Sequence, residues 1–219
     1  MRDRTIKVIV PTRGRPDNAV RLFEAIKETA DTVDIVFCLD DDDPKLDEYY
    51  DTSLPFRTSR RRRLVGTLNE AVQTYQNYYD IIGFMGDDVI PHTPRWDLEI
   101  ANAFQPNMIA YANDGWQGEG LPTAVFMDTN IVRKLGYMVT PTLIHLFADN
   151  YWKALGEALG TLTYLPDVNM EHIHPFAGKA VDDLTYQEAN AGPIWDHDQM
   201  SFNWYVANQL AIDAEHLRA

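Results

Sequence analysis

The chain has 219 residues, 45% of them hydrophobic and 24% charged, with a formal net charge of -14. That length supports one substantial core, so a single domain is expected, and the balance is that of a folded globular protein, not a disordered or membrane-embedded one. No apolar run approaches a bilayer span and Met1-Arg2-Asp3-Arg4 carries no signal-peptide pattern, so a cytoplasmic protein is expected; the lone Cys38 excludes an internal disulfide, and the carboxylate surplus disfavours a nucleic-acid partner.

Ile6 to Val10 is a β-branched run that predicts a first strand, followed by the loop Pro11-Thr12-Arg13-Gly14-Arg15. Pro16 suits a first helical turn, and Ala19, Phe23, Ile26 and Ala30 then recur at helical spacing. A second strand, Val33 to Leu39, ends in Asp40-Asp41-Asp42-Asp43, with Pro44 blocking continuation. Within this acidic chain Arg60-Arg61-Arg62-Arg63 is a local concentration of cations. Leu64, Leu68, Val72 and Tyr75 predict a helix from Leu64 to Tyr79 that delivers the chain to a third strand, Ile81 to Met85. That strand runs into Gly86-Asp87-Asp88, two adjacent carboxylates that repel unless a cation joins them. Hard divalent cations take such oxygen ligands and bridge them to substrate phosphates.

Beyond lie a helix from Trp96 to about Phe104, a strand from Met108 to Tyr111 ending in Asn113-Asp114-Gly115, strands near Ala124 to Met127 and Leu162 to Leu165, and a helix from about Asp149 to Leu159. The stretch Asn203 to Leu217 is expected to be helical, either closing over a site or packing on a second copy in a homodimer. Strands alternating with helices predict an α/β fold, a mainly parallel central sheet flanked by helices, with about 1–112 forming a nucleotide-type half and about 113–219 an acceptor-side half. In open sheets of this kind ligands bind beyond the carboxyl ends of the strands, where the Thr12-Arg13 loop, Asp40 to Asp43 and Asp87-Asp88 all fall. Arginines there can form forked bonds to a nucleotide diphosphate. Neither GxGxxG nor a Walker lysine motif is present, so dinucleotide and P-loop readings lose support.

With those residues in view, the sequence resembles a GT-A fold glycosyltransferase of the family 2 type. The resemblance rests on Val8 to Arg15, on Asp40, on Asn69-Glu70-Ala71 and on Gly86-Asp87-Asp88 as a DxD-type motif, and further on Ala148-Asp149-Asn150-Tyr151-Trp152 and Glu171-His172-Ile173-His174-Pro175. It implies transfer of a sugar from a UDP- or GDP-sugar to an acceptor hydroxyl, with inversion and with Mn²⁺ or Mg²⁺. The implied donor-site residues are Pro11, Thr12, Arg13, Arg15, Asp40, Arg60, Arg63, Asn69 and Asp87. The metal ligands are Asp88 and a late histidine, of which His174 is chosen over His172 because alternate residues of an extended segment face opposite sides. Asp149 is the implied general base, although the family's Glu-Asp pair reads Ala148-Asp149 here. Trp116, in the Gly-rich loop Asn113 to Gly120, is the expected acceptor platform. The rival readings are a nucleotidyltransferase acting on a sugar phosphate, a non-catalytic module whose Asp clusters hold Ca²⁺, and a transferase whose acceptor is a modified base in DNA.

Overall fold

The computed structural model describes residues 4–219. Its first half runs through strand β1 (Ile6–Thr12), helix α1 (Pro16–Thr29), β2 (Asp34–Asp40), α2 (Leu46–Tyr50), β3 (Phe56–Ser59), α3 (Arg63–Tyr75) and β4 (Ile81–Phe84). Next come β5 (Val89–Pro91), α4 (Trp96–Ala103), β6 (Ile109–Asn113), β7 (Val125–Asp128), α5 (Thr129–Leu135), α6 (Ala148–Leu159) and β8 (Leu162–His172). The chain closes with α7 (Leu184–Ala189), α8 (Gly192–Asn208) and α9 (Leu210–Arg218).

The strands form one sheet in the order β3-β2-β1-β4-β7-β6-β8-β5. From β3 to β4 every pairing is parallel, as the β-loop-α alternation predicts, whereas β7 inserts antiparallel between β4 and β6 and short β5 pairs antiparallel with β8. The strands β1, β2 and β4 are apolar nearly throughout because helices cover both faces. On one face Val8, Val10, Phe37, Leu39 and Ile81 pack with Leu22 and Ile26 of α1 and Trp96 of α4. On the other Ile9, Val36, Ile82 and Phe84 pack with Leu68 and Val72 of α3 and with Tyr151, Trp152 and Leu155 of α6.

Several boundaries shift, each for a physical reason. Pro11 and Thr12 continue β1 instead of opening a loop, since Pro11 and Thr12 pair with Cys38 and Leu39 of β2. The helix expected to reach Tyr79 ends at Tyr75. The C-terminal helix begins earlier, at Gly192, and breaks at Gln209, whose backbone departs from helical geometry (φ -118°, ψ -33°). Tyr205 and Leu217 of this C-terminal pair join the core beside α6, so it buttresses α6.

Candidate active site

The carboxyl ends of β1, β2 and β4 open into a cleft of about 190 Å³, lined by Pro11, Thr12, Arg13, Arg15, Asp40, Arg61, Arg63, Asp87, Asp88, His145, Tyr186 and Glu188 among others. Asp87 is held from beneath: Thr12 Oγ1 donates to its Oδ2 at 2.6 Å, and Arg15 lies 3.3 Å from its Oδ1. The Tyr49 hydroxyl sets this corner by meeting Thr12 Oγ1 and accepting from the Arg15 N–H, each at 3.0 Å. Gly86 lets Asp88 fold back, because a Cβ there would collide with Asp88 Oδ1.

Asp87 and Asp88 are both buried, at 5% and 7% exposure, yet they titrate in opposite directions. Burial, then the neighbouring Asp88 charge, pushes Asp87 up. Burial would raise Asp88 too, but hydrogen bonds from His172 and Tyr186 outweigh it and hold the carboxyl below its ordinary value. His172 Nε2 lies 3.4 Å from Asp88 Oδ1, and burial of the imidazole is outweighed by that bond, so His172 is raised.

The histidine beside Asp88 is therefore His172, not His174. Strand pairing decides it: Val89 of β5 pairs with His172 of β8, and the Ile173 N–H donates to the Asp88 carbonyl at 2.8 Å. His174 lies past the strand end, where alternation lapses; its Nδ1 accepts from the Phe176 N–H and its ring stacks on Trp116 at 5.0 Å and 19°. Burial and then the His172 charge lower its pKa.

The donor set suits a hard divalent cation. Asp88 offers carboxylate oxygens and His172 adds a ring nitrogen; His172 Nδ1, 4.0 Å from Asp114 Oδ2, is enclosed and makes no hydrogen bond among the described residues. Among the described residues no three His, Cys, Asp or Glu side chains are gathered to hold a metal. A two-residue site of this kind leaves positions for phosphate oxygens, as Mg²⁺ sites commonly do.

Asp149, part-buried in the first turn of α6, is pushed up to about 7 by burial, with His172 opposing and the charges of Asp114 and Asp88 reinforcing the shift. Asp114 itself is a scaffold. Its carboxylate accepts from the N–H groups of Trp116, Gln117 and Gly118 and from Thr123 Oγ1, which shapes the loop carrying Trp116. Trp116, 39% exposed, stands against His174 and His172 at the rim of the site. Of the other tryptophans, Trp96 and Trp152 are core and Trp195 and Trp204 are exposed.

Two predicted donor-site residues are not brought to the cleft. Arg60 is exposed and lines none of it; Arg61, its neighbour, does. Asn69 turns to the opposite side of α3, donating to the Val139 carbonyl at 2.7 Å and accepting from Met138 and Val139 N–H at 2.9 and 3.0 Å. Three members of the Asp40 to Asp43 cluster are engaged internally. Arg13 bridges Asp40 at 3.1 Å and Asp42 at 2.6 Å, while Asp43 accepts from the N–H groups of Gly14 and Lys45, so its carboxylates do not form a free Ca²⁺ cage.

The most consequential residues missed from sequence lie on and beside α7. Asp183 grips Arg15 with two bonds of 2.6 and 2.7 Å, and the Arg15 guanidinium lies 4.1 Å over the Tyr186 ring. The Tyr186 hydroxyl donates to Asp88 Oδ2, and Glu188 pairs with Arg61 and, at 3.7 Å, with Arg63. Burial of these arrangements works against Asp183 ionising, but the Arg15 bonds prevail and lower it; Arg61 likewise lowers Glu188. Only the chance to see contacts more than 95 residues apart in sequence would have found Tyr186.

No family model and no curated protein matches the sequence. Solved structures do match in fold. A mannosyltransferase from Pyrobaculum calidifontis, in complex with GDP-Man and Mn²⁺, shares 13% identity over 99% of this chain and 73% of its own, with a TM-score of 0.59. Glucosyl-3-phosphoglycerate synthase from Mycobacterium tuberculosis, with Mg²⁺ and UDP, shares 11% identity over 90% and 79%, with a TM-score of 0.62. A Drosophila galactosyltransferase with manganese, UDP-Gal and xylobiose shares 11% over the same fractions, at 0.57. The sheet order, the helices on both faces and these likenesses together show that the chain has the GT-A fold of nucleotide-diphospho-sugar transferases.

Proposed function

We propose that this protein is a metal-dependent glycosyltransferase that moves a sugar from a UDP- or GDP-sugar to an acceptor hydroxyl with inversion. The observation that carries the reading is the convergence of Asp88, which His172 approaches at 3.4 Å, with Arg15, Arg61 and Arg63 on one cleft at the carboxyl edge of the parallel strands. The GDP-Man, UDP and metal ions bound by proteins of the same fold support that choice of donor and cofactor.

In this reading Pro11, Thr12, Arg13 and Asp40 border the nucleoside, and Arg15, Arg61 and Arg63 meet the diphosphate. Asp88 and His172 would hold Mn²⁺ or Mg²⁺, which supplies Lewis-acid stabilisation of the departing diphosphate. Asp149 takes the acceptor hydroxyl's proton on a carboxylate oxygen as the acceptor's own oxygen bonds to the anomeric carbon; the bond to the diphosphate breaks and the diphosphate keeps the electron pair. A base with a pKa near 7 is matched to that task at neutral pH. Trp116 offers a ring face at the acceptor side.

The cleft as it stands is smaller than the roughly 300–1,000 Å³ of small-molecule sites, and its cationic and metal-binding groups already hold Asp183, Glu188 and Tyr186. The donor therefore enters by displacing α7 together with the Asp183 that precedes it, since the Asp183 and Glu188 carboxylates and the Tyr186 hydroxyl occupy the groups that would meet phosphates and metal. A panel of nucleotide sugars with and without Mn²⁺, read by thermal shift, tests the reading. Stabilisation by a nucleotide sugar only with the metal supports it, and indifference to every nucleotide sinks it.

A further inference from the structure

His145 lines the cleft four residues before Asp149, on a segment with no regular structure yet a rigid support. The N–H groups of Ile144, His145 and Leu146 all donate to the carboxylate of Asp198, at 2.9, 2.8 and 2.7 Å, and Asp198 is fully buried on α8. The Ile144 carbonyl also accepts from the Val65 N–H in the first turn of α3, which ties the segment to the helix that starts at Arg63. The imidazole is thus carried on a segment fixed from behind by a satisfied buried carboxylate.

The ring's Nδ1 is enclosed and has no partner among the described residues. An enclosed polar nitrogen left unpaired costs on the order of 1–3 kcal/mol, so it is a group awaiting a partner. Its electrostatic neighbours are Arg63, Arg15 and Arg61, with Asp198 opposing them. Burial first, and Arg63 next, push the imidazole down to about 4, so it sits neutral among three guanidinium groups. No other role in the site claims it.

We propose that His145 is a donor-site residue whose ring hydrogen-bonds the diphosphate that enters among Arg15, Arg61 and Arg63. The inference rests on the glycosyltransferase reading and names a contact within it that neither the sequence motifs nor the fold assigns. An arriving anion supplies the missing partner and offsets the cationic surroundings that keep the ring neutral, so Nδ1 can donate. Glu188 and Ala189 line the same cleft, and the contact forms once α7 has moved aside.

The test is a calorimetric titration of UDP and GDP, with Mn²⁺ present, into the wild type, His145→Ala and His145→Asn. The asparagine amide places an N–H near the Nδ1 position and serves as the conservative rescue. Loss of a hydrogen bond to a charged group weakens binding about tenfold or more, so His145→Ala should lose at least that for whichever diphosphate the wild type binds. His145→Asn should recover most of the loss. Wild-type affinity in folded His145→Ala, or an asparagine variant as weak as the alanine one, overturns the assignment while leaving the donor-site reading standing. If the wild type binds neither nucleotide, that reading falls and this inference with it.

Discussion

In the proposed reaction donor binding turns on displacement of α7, which can be perturbed without touching a single residue assigned to the donor. Replacing Asp183 with Asn and Glu188 with Gln removes the carboxylates that occupy Arg15, Arg61 and Arg63. Their side chains are 42% and 50% exposed, so water screens both pairs heavily. Exposed pairs of this kind contribute about 0.5–1 kcal/mol each, with the forked Arg15–Asp183 pair at the upper end. The closed arrangement should lose about 1–2 kcal/mol, which lowers the apparent Kd for a nucleoside diphosphate with Mn²⁺ by roughly five- to thirtyfold. Calorimetric titration of UDP and GDP measures it. Removing two negative charges also attracts an anion directly, so Tyr186→Phe serves as the charge-neutral arm: it deletes only the hydroxyl bonded to Asp88 and should tighten metal-dependent binding by about two- to tenfold. Unchanged or weaker binding in both variants would refute the displacement argument, because α7 would then not compete with the ligand.

Asp149→Asn should retain donor binding and lose transfer, as measured by product formation beside a calorimetric Kd. The same variant carries a stability signature in the metal-free protein. The folded-state pKa of Asp149 is about 7 against an ordinary 3.8, so the unfolded chain gives up the proton first and ionisation costs stability increasingly from pH 4 to 7. The variant should therefore gain about 2 kcal/mol at pH 8, after allowance for solvent on this part-exposed side chain, and nothing at pH 4; an equal gain at both would show the shift is not there. His172→Ala should abolish Mn²⁺-dependent stabilisation by nucleotide, whereas His174→Ala should leave most of it, and the reverse ranking would restore the histidine expected from sequence. Asn69→Ala removes three hydrogen bonds to the 138–139 backbone and should cost about 2–3 kcal/mol in denaturant unfolding while leaving the donor Kd unchanged.

The parallel half of the sheet was legible because β1, β2 and β4 are apolar runs buried on both faces and bounded by Pro, Asp and Gly, signals that depend only on neighbouring residues. That the Asp87-Asp88 pair, Arg15 and Asp40 would border one cleft was legible for the same reason, as carboxylates and guanidiniums at the ends of recognisable elements. What failed to show depends on long-range register. Which of His172 and His174 stands beside Asp88 is set by Val89 pairing with His172 across 83 positions, and alternation along a strand says nothing once the strand has ended. Asn69 reads as a motif residue, yet its direction on α3 is set by the 138–139 backbone. Arg61 and Arg60 differ only in which way the segment before α3 turns. Helix α7 lacks an amphipathic pattern, and its meaning arises only where Asp183, Tyr186 and Glu188 meet Arg15, Asp88 and Arg61.

The central claim is that one cleft binds a nucleotide diphosphate through a metal held by Asp88 and His172. Its most direct test is titration of the wild type and Asp88→Ala with UDP-sugars and GDP-sugars, in Mn²⁺ and in chelator. The account predicts saturable binding of one nucleotide class by the wild type in Mn²⁺, and its loss both in chelator and in Asp88→Ala. Binding of equal strength in chelator, or in the Asp88→Ala variant, would contradict it.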